Sequence, residues 1–255
     1  MLELLLQSPS AKMLWDTAWL NVSAACLVDV LRAAPTGERI RINPGSLLKG
    51  IISCPRPVTL SAFNVHLCGG CLQLHNATSS ACGTVEGLQM SNYSDSAVMV
   101  TGGGNARHGT APAHWELRHC EVTSSRRTAR SYTGIIIREG GSLNVVSSLI
   151  SNTVHAVGVQ PCNVAPCRLM MTGCSIVNTK AAIVTMGGAR ISVDTTNFST
   201  NGSAFLLDDL VTGRARNNVV DGSMFGKWEK PCNFFCHDNI CACRRKCHCP
   251  AQLSP

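Results

Sequence analysis

The chain has 255 residues, 45% of them hydrophobic and only 5% aromatic, with a formal net charge of +7. That length is enough for one sizeable domain, and the absence of any apolar run of roughly 18 residues rules out a membrane-spanning helix. The start, Met1-Leu2-Glu3-Leu4-Leu5-Leu6-Gln7, has neither the basic residues nor the apolar length of a signal peptide. The expectation is therefore a cytoplasmic or nuclear protein whose 15 cysteines stay reduced; a secreted protein is the alternative.

In chain order, the spacing of Leu14, Trp15, Ala18, Trp19, Val22, Leu27, Val28 and Leu31 predicts a helix over 11–34, ended at Thr36-Gly37. Residues 1–36 are read as a helical cap. Arg39-Ile40-Arg41-Ile42 alternates as a strand does and stops at Pro44-Gly45. Ile51-Ile52 and Val58-Thr59-Leu60 are further strands, and Leu72, Leu74 and the stretch 85–100 read as irregular early coils. Gly102-Gly103-Gly104 lacks the Gly-Lys-Ser/Thr ending of a phosphate-binding loop. It reads as a bend in a long exposed loop that also holds His108-Gly109.

A pattern then recurs four times: apolar-x-apolar-x-x-small-x-apolar. The copies begin at Trp115, Leu143, Leu169 and Ile191 and close on Gly134-Ile135, Ala156-Val157, Ala182-Ile183 and Ala204-Phe205. Ala97-Val98 resembles those closing pairs. Alternation within each copy means strands, and a repeat too short to bury its own apolar face means coils stacked into a solenoid. Residues 37–226 are assigned to it. In that alignment Cys120, Ser148, Cys174 and Thr196 form an inward column of small residues, and Asn152 stacks on Asn178 at one bend. Cys120 and Cys174 lie two coils apart, about 10 Å, too far for a disulfide.

The helix, Gly37-Glu38-Arg39-Ile40-Arg41-Ile42-Asn43-Pro44-Gly45, Pro57-Val58-Thr59-Leu60 and the 22-residue coils resemble the entry to a right-handed parallel β-helix of the PbH1 type. The pattern is similar to the β-helix parts of F-box substrate receptors and SHC-binding spindle proteins, to pectin-lyase-like carbohydrate modules, and more distantly to adenoviral β-helix proteins. The resemblance implies an all-β, single-stranded parallel β-helix and leaves the activity open. The alignment separates Glu139 and Asp209 by three coils, about 14 Å, beyond the reach of a hydrolytic carboxylate pair. No catalytic residue is assigned.

From Lys227 the composition changes. Cys232, Cys236, His237, Cys241, Cys243, Cys247, His248 and Cys249 supply six thiols and two imidazoles with little apolar material around them. Such a set suits structural zinc, or disulfides if the chain is secreted. Residues 227–255 are read as a tail that closes the far end of the solenoid. The expected function is a non-enzymatic binding scaffold for a protein partner, or for a glycan. A secreted carbohydrate-active enzyme or lectin is the alternative. The basic stretches lack interleaved aromatic residues, which argues against nucleic acid.

Overall fold

The structure, a computed structural model, describes residues 19–76, 81–102, 114–124, 133–160, 166–208, 210–226 and 233–241. Its strands pair only in parallel, each with the strand about one coil before and one coil after it, and so build a parallel β-helix of about eight coils with three faces. The first sheet begins with β1 (Leu20–Val22) and β2 (Arg39–Ile42). It then takes the start of Thr59–Cys68 and of Gly83–Ser91, followed by Trp115–Arg118, Ser142–Val146, Cys167–Thr172, Ala189–Asp194, Thr212–Arg216 and Phe234–His237. The second runs through Glu121–Thr123 and Leu149–Ser151, the third through Ser96–Thr101, Thr133–Arg138 and His155–Val159.

The register follows the apolar pattern residue by residue. Trp115, Leu143, Leu169 and Ile191 are direct rung partners, as are Ile135, Val157, Ile183 and Phe205. Val98 pairs with Ile135, which places Ala97-Val98 in the column of closing pairs. A one-residue slip would turn every inward side chain outward, so burial fixes the register. The inward column Ile40, Leu60, Val85, Leu117, Val145, Met171, Val193 and Ala215 is buried throughout. Toward the C-terminal end the core is filled by rings instead. Phe205 lies 5.4 Å from Phe198 and 5.5 Å from Phe234 between centroids, a spacing that favours tilted aromatic pairs.

Corners use left-handed residues. Where the first sheet turns into the second, His119, Ser147, Gly173, Thr195, Asn217 and Asp238 all have φ between 47° and 62°. Each is followed by an inward side chain that bonds to a neighbouring backbone. Ser148 Oγ accepts from the Cys120 N–H at 3.1 Å, and Asn218 Oδ1 accepts from the Thr196 N–H at 2.8 Å. The expected column of Cys120, Ser148, Cys174 and Thr196 is buried and continues into Asn218. At the next corner Asn152 and Asn178 also have positive φ, and the Asn178 amide donates to Asn152 Oδ1 at 2.7 Å.

Two differences from the sequence reading concern the ends. Within the expected helix over 11–34, the described helix is α1 (Leu27–Ala33), and Leu20–Val22 is instead the first rung of a sheet. Leu20 and Val22 alternate in the manner of a strand, and pairing with β2 satisfies their backbone, which outweighs the helical spacing. Arg41 sits over the Trp19 ring at 5.0 Å, fastening that rung. Helix α1 buries Leu27 and Leu31 against the core and covers the first coil. At the other end, Phe234–His237 and Ile240–Cys241 pair with Thr212–Arg216 and Val219–Phe225. The solenoid thus extends past Lys227 into a further partial coil.

A cationic groove on the first sheet

The outward residues of the first sheet line a groove of about 1140 Å³. The strands put them there by alternation: in Ala189–Asp194 the residues Ala189, Ile191 and Val193 are buried, while Arg190, Ser192 and Asp194 point away from the core. One outward column begins with Cys82 and His114, whose Sγ and Nδ1 are 3.2 Å apart. It continues through Ser142, Arg168, Arg190 and Thr212, since Ser142 pairs with Arg168, Arg168 with Arg190, and Arg190 with Thr212. The adjacent column holds Glu116, Asn144, Met170, Ser192, Arg214 and Phe235 in successive rungs.

Among the described residues four arginines line this groove, Arg168, Arg190, Arg214 and Arg216, against a single lining carboxylate, Asp238. Arg216 is spoken for by Asp194 at 2.7 Å, with Asn217 Nδ2 donating to the same carboxylate at 3.2 Å. The Arg216 hydrogen bond is the main reason the Asp194 carboxyl lies below its ordinary range. Arg214 Nε donates to Ser192 Oγ at 3.3 Å. Arg168 and Arg190 form no ion pair with any described residue. Between the cations lie two apolar side chains, Met170 at 42% exposure and Phe235 at 57%.

The expected site residues fall differently. Phe234 and Cys236 face the core and His237 lines the groove, as neighbours on one strand must. Cys241 packs against the core from the second sheet. Among the described residues no three His, Cys, Asp or Glu side chains gather as metal ligands. Cys232, Cys243, Cys247, His248 and Cys249 lie outside the described residues, as do 103–113, 125–132 and 161–165. Of the two carboxylates weighed for catalysis, Glu139 pairs with Arg138 at 3.8 Å. Asp209 is outside the described residues.

The groove arginines carry no motif. One signal marks them: His114, Ser142, Arg168 and Arg190 each stand immediately before the first apolar residue of a repeat, at Trp115, Leu143, Leu169 and Ile191. The chain matches no family model and no curated protein.

Proposed function

We propose that this chain is a non-enzymatic binding scaffold that offers the outer face of its first sheet to a protein partner. The β-helix parts of F-box substrate receptors and SHC-binding spindle proteins, which the repeats resemble, provide the precedent for such a use of the fold. The observation that carries the reading is the composition of the groove, in which Arg168 and Arg190, without an ion-pair partner among the described residues, lie with exposed Met170 and Phe235. Protein interfaces favour that mixture, because arginine and large apolar side chains are enriched in them. A glycan-cleaving reading would need a second carboxylate beside Asp238, and the described lining residues supply none. Zinc held by the other thiols and the imidazole of the cysteine-rich stretch, Cys232, Cys243, Cys247, His248 and Cys249, is part of this proposal as a structural element, in a cytoplasmic or nuclear protein with reduced thiols.

A photo-crosslinking residue placed at Met170, with Asn197 on the second sheet as control, tests the scaffold. The expected result is one reproducible protein adduct from position 170, competed away by unmodified chain, and none from position 197. No adduct at 170, or the same adducts from both positions, overturns it.

A further inference from the structure

We infer that the groove contains a built phosphoryl-binding site, formed by Ser142, Arg168 and Arg190, that receives a phosphorylated side chain of the partner; the inference rests on the scaffold reading above. Three successive rungs of one column place these residues in line, so their backbones follow one another at roughly 4.8 Å. Ser142 is only 4% exposed and lines the groove, and its hydroxyl has no hydrogen-bond partner among the described residues. Its hydroxyl oxygen keeps contact with solvent in the groove and is free to donate to a ligand there. Arg168 one rung on and Arg190 two rungs on have no ion-pair partner among the described residues.

Geometry selects the ligand. A carboxylate carries one negative charge, which a single guanidinium in a bidentate pair neutralises, leaving the second arginine without a counter-charge. A phosphomonoester carries close to two negative charges at neutral pH and three acceptor oxygens. With charge-assisted bonds of about 2.7–2.9 Å, it bridges two guanidiniums one rung apart and still accepts from Ser142. The apolar neighbours argue for a peptide as the carrier, since Met170 and Phe235 offer contact to adjacent side chains. A nucleic acid strand would want a row of aromatic platforms along its path, and among the described residues Phe235 is the only Phe, Tyr or Trp in the lining.

The test uses the full chain and a fluorescein-labelled pentapeptide with phosphoserine at its centre and leucine beside it, read by fluorescence anisotropy. The unphosphorylated peptide, the glutamate peptide, inorganic phosphate and a single-stranded DNA oligonucleotide run alongside. The phosphopeptide should bind at least about tenfold more tightly than the other two peptides and be displaced by millimolar phosphate. The double variant Arg168→Ala/Arg190→Ala should abolish that preference and Ser142→Ala should weaken it about threefold. Far-UV circular dichroism and Tm confirm that each variant is folded. Equal binding of the phosphoserine and glutamate peptides, or a preference untouched by the variants, overturns the site. Binding of the oligonucleotide through the same arginines without the phosphopeptide overturns it too, by making this a nucleic-acid face. A position-170 protein adduct without any phosphate preference removes the phosphoryl site and leaves the scaffold; absence of both removes both.

Discussion

The Asn178 side-chain amide donates to Asn152 Oδ1 one coil away at 2.7 Å, and Asn178 Oδ1 in turn accepts from Asn201 Nδ2. A bend in a parallel solenoid exposes the same backbone groups in every coil. A side chain with both a donor and an acceptor can repeat indefinitely along that line. Asn also tolerates the left-handed conformation, φ 55° at Asn178, better than other non-glycine residues.

Replacing Asn178 by alanine therefore removes the centre of this ladder and strains the bend. Asn178→Ala should lower stability by about 1–2 kcal/mol, read as a fall in the urea midpoint. Asn178→Gly should recover the backbone part of that loss only. Equal midpoints for wild type and Asn178→Ala would show that the ladder is decorative.

The inward corner column makes a sharper demand at Asn218, which is 0% exposed. Its Oδ1 accepts from the Thr196 N–H, and its Nδ2 donates to Val193 O at 3.2 Å and to Asn239 Oδ1 at 2.8 Å. Asn218→Ala orphans those buried groups at about 1–3 kcal/mol for each one that water cannot reach. Thermal denaturation should show a larger drop in Tm than for Asn178→Ala.

Thiol reactivity should separate the cysteines by depth. Burial pushes the Cys54 and Cys120 thiols up to about 12, and the Cys174 thiol is also raised by burial. Cys26 and Cys82 are exposed. Because the thiolate is the nucleophile, native protein at pH 8 should take up iodoacetamide at Cys26 and Cys82 well before Cys54, Cys120 or Cys174. Peptide mapping that finds Cys54 alkylated as fast as Cys82 would contradict the packing.

His155 sets a pH dependence. Its pKa is lowered, first by burial and then by the nearby Lys180 charge, so the folded state favours the neutral ring. The unfolded chain takes up the proton more readily, and stability therefore rises with pH in this range. The contribution is complete above the ordinary histidine value of about 6.5 and is lost as pH falls through the lower folded value. His155→Gln should flatten the loss of Tm between pH 7 and pH 5. A profile parallel to wild type would show that His155 does not supply this term.

Most of the solenoid is legible in the sequence because its core is written in columns. The register of Trp115, Leu143, Leu169 and Ile191, and the stacking of Asn152 on Asn178, follow from spacing alone. The ends are less legible. Leu20–Val22 sits in a segment whose spacing also fits a helix, and the edge of β2 decides between the two. Phe234–His237 lies in a cysteine-dense stretch, where Cys236 does the work of an aliphatic core residue. The groove is least legible of all. Arg168 and Arg190 are separated by a whole coil in sequence and become neighbours only when the coils stack.

The rungs that bring those arginines together also give the molecule a mechanical grain. All the inter-strand pairings are between parallel strands of successive coils, so their hydrogen bonds lie along the solenoid axis. Pulling the chain from its two ends loads one coil boundary at a time. It should unspool the protein in a sawtooth of modest force peaks, each release adding roughly 70 Å of chain. Pulling sideways between two corners of one coil meets the covalent backbone and the sheets on both sides together. The same fold is soft along its length and stiff across it.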